Sequence, residues 1–416
     1  MNNAWRTLVN YRPGRLGQNT LLGATGLGIR AIIQAAYLLI VSRWLGAEGY
    51  GLFAGSVALA ALATPLGNWG SALLLTQHIG QDRSRSRAMW TTALVQTGIV
   101  GSALVIVTLL ISVSLLSQQL ALGPLLLLAV SELLLLPASH AASSQCYALE
   151  HGGASALSVC LVPMGRTLAV LSAMASGLSA TPEHAAWAHF GGTILGFAAA
   201  IALVARIDGP PAWRAYLPLR DSIRQGAPYA ISNAAGTSYQ EVDKILMLQL
   251  LGAAVVGPYS VAFRVASLFV LPVSALISAT LPRLIAECAT GSQQRTYRAV
   301  LLSALSYGCL AGLAMLVVSP FVPRLFGPDY EDAAQYLLVL APWPMLFALR
   351  QCLAAKLTAA HRQYARSMVE VAGLLLTVLL NLILLCRWGA NSSALALLVT
   401  EAVTSLILLA IKNRRE

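Results

Sequence analysis

The feature that most constrains this sequence is a series of apolar stretches, each of about 18 residues or more, that recurs from one end of the chain to the other. A stretch of that length crosses a bilayer as a helix, and inside a bilayer only helices and closed barrels satisfy every backbone hydrogen bond. Charged residues make up only 10% of the 416 residues, and apolar residues make up 57%. The chain is therefore predicted to be an all-α polytopic membrane protein.

About twelve transmembrane helices are predicted, arranged as two lobes of six. The predicted spans are 18–43, 50–76, 88–113, 121–147, 153–177 and 184–206, followed by 225–250, 256–282, 298–320, 333–358, 364–386 and 391–411. The predicted domains are an N-terminal lobe (1–206), a cytoplasmic linker (207–224) and a C-terminal lobe (225–416). The linker is too short to bury a core of its own.

A short motif occurs once in each half. Leu45-Gly46-Ala47 with Gly51 recurs as Leu251-Gly252-Ala253 with Gly257, and each pair is separated by 206 residues. Both copies lie where one apolar span meets the next. Since each half holds an even number of spans, we expect a parallel internal repeat about an axis along the membrane normal. Transporters bind their cargo at the interface between such halves.

The basic residues predict the orientation. Nineteen of the 27 Lys and Arg residues fall in one set of connections and termini, and only Arg43, Arg324 and Arg387 fall in the other set. The positive-inside rule then places both termini in the cytoplasm. The net charge of +11 is thus mainly a topology signal, and no nucleic-acid partner is expected.

Ten charged residues fall inside the predicted spans: Arg30, Glu132, Arg166, Glu241, Asp243, Lys244, Arg264, Arg350, Glu370 and Glu401. Facing lipid, together they would cost about 25 to 35 kcal/mol. They must therefore face protein or water, either as structural ion pairs or as the lining of a cavity. Polar residues at helical spacing favour a cavity between the halves: Arg30, Gln34 and Tyr37 in the first span, Tyr229, Asn233, Gly236, Gln240 and Asp243 in the seventh, and Ser260, Arg264 and Ser267 in the eighth.

Two junctions between spans resemble a known family. Asp243-Lys244-Ile245 through Val256-Gly257-Pro258-Tyr259-Ser260-Val261-Ala262, and Asn19 and Arg30 followed by Ser42-Arg43-Trp44-Leu45-Gly46, are similar to the Wzx-like polysaccharide and O-antigen repeat-unit flippases. That family belongs to the multidrug, oligosaccharidyl-lipid and polysaccharide exporter superfamily. The resemblance implies two six-helix lobes around a central cavity. It also implies a lipid-linked oligosaccharide cargo, contact with membrane lipids, and polysaccharide polymerase and chain-length proteins as partners. Pro258 departs from the usual Ile or Leu.

Such a cargo carries a pyrophosphate, and arginine binds phosphate oxygens through paired hydrogen bonds. Arg30, Arg166, Arg264 and Arg350, on four different spans, are the predicted substrate-binding arginines, together with Lys244, Gln34 and Tyr37. Asp243 and Glu132 are expected either to pair with these cations or to carry a coupling proton or sodium ion. The membrane potential alone would favour outward movement of two negative charges by about 4 to 5 kcal/mol per 100 mV.

No catalytic residue, cofactor or metal site is expected. The chain has no GxxxxGK nucleotide-binding loop, and its six cysteines lack the spacing of a metal site. The sequence thus predicts a multi-pass flippase of the bacterial inner membrane, turning undecaprenyl-pyrophosphate-linked oligosaccharide to the outer leaflet. A drug or small-molecule antiporter of the same superfamily is one alternative. A membrane polysaccharide polymerase or ligase is another, but these chains have a large outer loop and none is predicted here.

Overall fold

The computed structural model describes residues 15–116, 120–213, 218–289, 293–360 and 362–413. Within these ranges nearly every residue is helical and no strand occurs, which confirms the all-α prediction. The side chain of Asn19 and the surroundings of Gly236, both used in the sequence argument, lie outside what the structure describes.

Twelve helices follow one another along the described part of the chain. The element Arg15–Gly67 is divided at the non-helical Gly46 into α1 (15–45) and α2 (47–67), and α2 continues as Ser71–Gln81. The others are α3 (Ser86–Leu116), α4 (Leu122–Ala148), α5 (Gly152–Ala175), α6 (Pro182–Asp208), α7 (Leu219–Ser238 and Val242–Leu251), α8 (Ala253–Ala289), α9 (Gln294–Val318), α10 (Glu331–Leu340 and Trp343–Ala359), α11 (Gln363–Trp388) and α12 (Asn391–Asn413).

Each predicted span coincides with one of these helices. Nine helical segments of the described residues are long and apolar enough to cross a membrane, or ten with the bent α10. One of the nine, Thr25–Gln81, contains both α1 and α2. Only α7 falls short, because it is interrupted and carries many polar residues.

The repeated motif forms the same structure in both halves. Gly46 ends α1 with a φ of 68°, and Gly252 ends α7 with a φ of 87°. A side chain at either position would be strained, because positive φ brings Cβ close to the carbonyl group of the preceding residue. The chain therefore turns at the same residue, 206 positions apart, as the predicted repeat requires.

The two copies of the motif also pack against each other. The backbone of Gly51, on α2, lies against the carbonyl oxygen of Ala253, and Gly257, on α8, lies against the carbonyl oxygen of Ala47. A Cβ at either glycine would overlap that oxygen. We call these four residues the glycine crossing. Small residues four apart allow such close approach of membrane helices, and exchange of the halves leaves the contact unchanged.

A second contact joins the halves on the side where α2 ends and α7 begins. Trp69 Nε1 donates to the carbonyl oxygen of Ile223 at 3.1 Å, and Gln96 Nε2 donates to the carbonyl oxygen of Trp69 at 3.1 Å. The Ser222 hydroxyl donates to Gln96 Oε1, and the backbone of Gly226 packs against the Trp69 carbonyl. In this conformation the two halves thus touch both at the glycine crossing and around Trp69.

Candidate functional site

A buried ionic cluster holds α4, α5 and α6 together. Glu132 Oε1 lies 2.7 Å from Arg166 Nη2 and 2.9 Å from His189 Nε2. Arg166 Nε also donates to the Thr193 hydroxyl at 2.8 Å. Since a carboxylate only accepts, the imidazole hydrogen must lie on Nε2, and Nδ1 is left to face the Tyr37 hydroxyl of α1 at 2.8 Å. We call Tyr37, Glu132, Arg166 and His189 the N cluster.

Glu132 lies in an irregular part of α4. The turn Ser131–Leu135 is π-helical, so its backbone adds one residue to the normal helical turn. Such turns often mark functional sites because they change the direction of a side chain without breaking the helix. Here the turn carries the carboxylate around which the N cluster is built.

A matching cluster holds α10, α11 and α12 together. Arg350 Nε donates to Glu401 Oε2 at 2.6 Å, and Arg350 Nη2 donates to the Tyr239 hydroxyl at 2.7 Å. Tyr239, at the end of the first part of α7, donates in turn to Glu401 Oε1 at 2.9 Å. Arg366 pairs with Glu370 at 3.0 Å, and Glu370 lies 4.0 Å from Arg350. We call these five residues the C cluster.

The two clusters are built from corresponding helices of the two lobes. In the N-terminal lobe the fourth helix supplies the carboxylate and the fifth the arginine; in the C-terminal lobe the tenth helix supplies an arginine and the eleventh and twelfth the carboxylates. A tyrosine from the first helix of each lobe, Tyr37 or Tyr239, completes each network. Corresponding helices of the two lobes thus supply both networks, and the carboxylate of α4 has an arginine of α10 as its counterpart.

A third group lies on α7 and α8 where the lobes meet. Glu241 Oε1 lies 3.3 Å from Arg264 Nη2, and Glu241 Oε2 lies 3.2 Å from Lys244 Nζ. Lys244 also lies 3.3 Å from Asp243 Oδ1, and Asp243 Oδ2 accepts a hydrogen bond of 2.5 Å from the Tyr259 hydroxyl. We call these residues the central group.

Arg30 differs from the other intramembrane cations. It is half-buried on α1 and forms no hydrogen bond or salt bridge with any described side chain. By contrast, every carboxylate predicted inside a span is paired in the described structure.

The seven predicted substrate-binding residues thus divide into different environments. Arg166 and Arg350 lie inside ionic clusters, Lys244 is buried in the central group, and Tyr37 bonds to His189. Arg30, Gln34 and Arg264 remain exposed or half-exposed.

One sequence expectation was wrong. The polar residues of the seventh span do not follow a continuous helical face, because the helix is interrupted between Ser238 and Val242. Beyond that break Asp243 is buried against Tyr259, whereas Tyr229 on the first part of the helix is exposed.

Sequence reasoning assigned no role to Tyr239 or Trp343, although both donate hydrogen bonds to Glu401. A buried glutamate in a membrane helix requires donors, but the sequence does not show that they come from α7 and α10. Sequence reasoning also assigned no role to His189, which contacts the carboxylate of Glu132. Among the described residues no three His, Cys, Asp or Glu side chains come together as a metal site.

Comparison with known proteins agrees with this architecture. The model of the family described as "Polysaccharide biosynthesis protein" matches residues 16–288, more than half of the chain, and the MatE family model matches residues 228–383. The curated protein named "Probable low-salt glycan biosynthesis flippase Agl15" of Haloferax volcanii is 23% identical over 182 residues, which are 42% of this chain and 38% of that protein. The match thus spans well under half of the relative's length.

Two solved structures share the fold across nearly the whole chain. An inward-facing multidrug resistance MATE family transporter of the MOP superfamily superimposes with a TM-score of 0.71 at 16% identity, covering 95% of this chain and 100% of that one. The lipid II flippase MurJ in an inward closed conformation also gives 0.71, at 12% identity, covering 94% and 88%. At such identities the likeness establishes the two-lobed fold.

Proposed function

This chain is a member of the polysaccharide biosynthesis protein family, and we propose that it is a flippase for undecaprenyl-pyrophosphate-linked oligosaccharide. The cargo would be an O-antigen, capsule or exopolysaccharide repeat unit, moved from the cytoplasmic to the outer leaflet of a bacterial inner membrane. We place both termini in the cytoplasm, because that is where the positive-inside rule puts the basic connections. Polysaccharide polymerase and chain-length proteins would act on the same lipid and are the proposed partners.

The pairing of the intramembrane charges carries this proposal. Each of the five carboxylates in the spans already has a cationic partner among the described residues, so a cationic cargo would have to displace an arginine or lysine. Among the described residues Arg30 has no anionic partner, and the half-exposed Arg264 has one, Glu241 at 3.3 Å. An unpaired guanidinium inside a membrane protein is a site for an anion, and pyrophosphate offers the oxygens that it binds best.

The positions of the two arginines suit alternating access. Arg30 lies on α1 of the N-terminal lobe, and Arg264 lies on α8 of the C-terminal lobe. The backbone of α8 packs against the start of α2 at the glycine crossing, so Arg264 lies on a helix that contacts the opposite lobe. A pyrophosphate held by both would lie between the lobes, while its oligosaccharide and polyprenyl parts extend toward water and lipid.

The membrane potential is our proposed driving force. An interior-negative potential favours outward movement of an anion by about 2.3 kcal/mol per charge per 100 mV. A coupling proton or sodium ion at Glu132 would compete with Arg166, and one at Asp243 would compete with Lys244 and Tyr259. Either ion would therefore act by breaking a contact that this conformation has already formed.

The alternatives fit these contacts less well. A drug antiporter for cations needs an unpaired carboxylate, and those of the spans are paired. A polymerase or ligase needs a catalytic pair on a large outer segment, whereas the described connections between helices are short.

Complementation of a flippase-deficient strain tests the proposal. Arg30→Ala and Arg264→Ala should each abolish transport while membrane abundance stays near that of the wild type. Arg30 forms no ion pair among the described residues, and Glu241 keeps Lys244 when Arg264 is lost. Arg30→Lys and Arg264→Lys should restore transport only in part, since a point charge cannot form the two parallel hydrogen bonds of a guanidinium.

Arg283→Ala is the matched control on the same helix as Arg264. Arg283 is exposed and pairs locally with Glu287 at 2.7 Å, so its loss should leave transport unchanged. Full complementation by the Arg30→Ala, Arg264→Ala double variant would sink the anion-site proposal. A fall in abundance that Glu241→Gln reverses in the Arg264→Ala protein would show that Arg264 serves only as a structural partner.

A further inference from the structure

The interruption of α7 holds a carboxylate between two cations of unequal burial. Glu241 follows the turn after Ser238, and its two oxygens face Arg264 and Lys244 at 3.3 and 3.2 Å. The exposed fraction of the side chain is 44% for Arg264, 14% for Glu241 and 1% for Lys244. The bridge therefore runs from an accessible arginine to a fully buried lysine.

Lys244 does not depend on Glu241 alone. Its ammonium group donates to the carbonyl oxygen of Gln240 at 2.5 Å, lies 3.3 Å from Asp243 Oδ1 and lies 3.8 Å above the ring of Phe263. Glu241, in turn, keeps Lys244 when Arg264 moves away. Arg264 is thus the one member of the bridge that can change partner without leaving a buried charge unpaired, which is the costly event inside a protein.

We propose that Glu241 is the resident counter-ion of the cargo site. It neutralises Arg264 while the site is empty, and it keeps its contact with Lys244 when the anionic group of the cargo takes Arg264. This inference rests on the proposed function, because it requires that Arg264 bind an anion. Glu241 acts through Arg264 and does not contact the cargo, so it is a positioning residue that sets affinity and favours release.

Removing this competitor should tighten anion binding. Glu241→Gln removes the negative charge. Glu241→Asp keeps a negative charge beside Lys244, but the aspartate side chain is shorter by one methylene and reaches Arg264 less well. Both changes free Arg264. We expect Glu241→Gln to bind inorganic pyrophosphate about fivefold more tightly than the wild type, which corresponds to about 1 kcal/mol, and Glu241→Asp to shift affinity in the same direction. A purely structural role for Glu241 predicts weaker binding in both.

The experiment is a calorimetric titration of inorganic pyrophosphate into the purified full chain in lipid nanodiscs. Glu287→Gln is the control, because it removes the carboxylate of another arginine pair on α8, outside the predicted span, and should leave affinity unchanged. Arg264→Ala added to Glu241→Gln should remove the gain. If Glu241→Gln does not fold, Glu241→Asp carries the test.

The outcomes distinguish counter-ion exchange at Glu241 from anion binding at Arg264. Binding by the wild type that depends on Arg264, with unchanged or weaker binding in both Glu241 variants, would overturn the counter-ion exchange and leave the proposed function standing. Absence of binding in the wild type and in both variants would overturn the exchange together with the proposed anion site. Equal binding by the wild type and Arg264→Ala would place the anion elsewhere and overturn the exchange.

Discussion

Substitution of Arg350 distinguishes a structural arginine from a cargo-binding one. Its guanidinium is buried and contacts Glu401 at 2.6 Å and Tyr239 at 2.7 Å, with Glu370 at 4.0 Å. In the Arg350→Ala protein, Glu401 keeps only the neutral donors Tyr239 and Trp343. A carboxylate inside a membrane domain is then left without a cation.

The expected cost is large compared with the stability of a folded protein. Breaking one side of a buried ion pair costs about 3 to 5 kcal/mol, against a total stability of about 5 to 15 kcal/mol. We therefore expect Arg350→Ala to lower membrane abundance several-fold and to lower the unfolding temperature of the purified protein. The Arg350→Ala, Glu401→Gln double variant should regain most of both, because the unpaired charge is gone.

Arg366→Ala is the matched control. Arg366 also pairs with Glu370, at 3.0 Å, but its side chain is 27% exposed and Glu370 keeps Arg350 at 4.0 Å, so the loss of Arg366 should lower stability less than the loss of Arg350 does. Immunoblotting of membranes and a thermal unfolding assay in detergent measure both effects. Wild-type abundance and thermal stability of Arg350→Ala, combined with loss of transport, would refute this reasoning and restore Arg350 to the cargo site predicted from the sequence.

Three further predictions follow from topology and from the repeat. A reporter fused after Arg220 should read cytoplasmic; an external signal there would reverse the inferred direction of transport. Cysteines at Ala47 and Ala253 should crosslink in the conformation described here and block transport until they are reduced; transport by the crosslinked protein would exclude separation of the lobes at the glycine crossing. Gly252→Ala should destabilise the protein by about 1 to 2 kcal/mol through its positive φ, whereas Gly28→Ala, in open space on α1, should not; equal unfolding temperatures would contradict the conformational argument.

The fold was largely predictable because the bilayer leaves few choices. Apolar length fixes where helices cross, and the repeated glycines at 46 and 252 indicated two equivalent halves. The interruption of α7 was not predictable, because Gln240 and Asp243 continue the helical spacing of polar residues across it. The interruption contains Tyr239, which forms hydrogen bonds with Arg350 and Glu401, 111 and 162 residues away in the sequence.

The candidate site was predictable in its residue types and not in its pairings. The sequence showed that Arg30, Arg166, Arg264 and Arg350 lie in membrane helices, but all four were equivalent until the structure supplied their neighbours. Arg166 finds Glu132 34 residues away, and Arg350 finds Glu401 51 residues away. Such pairs leave no periodic pattern, since each depends on how two separate helices face one another.

If the cargo is the anion proposed above, the distribution of charge links its binding to movement of the lobes. The N and C clusters are each neutralised internally, so among the described residues the cationic groups left for the proposed cargo are Arg30 on α1 and Arg264 on α8, on opposite lobes. A ligand shifts a conformational equilibrium only by binding one state better than the other. An anion held by both arginines favours the state that brings α1 and α8 together. The glycine crossing is closed in that state, because α8 forms the crossing with α2, which begins directly after α1 ends. Pyrophosphate should therefore raise the rate of crosslinking between cysteines at Ala47 and Ala253, and Arg264→Ala should abolish that rise. A crosslinking rate that pyrophosphate leaves unchanged, in a protein shown to bind it, would separate anion binding from closure of the lobes and require another element to connect them.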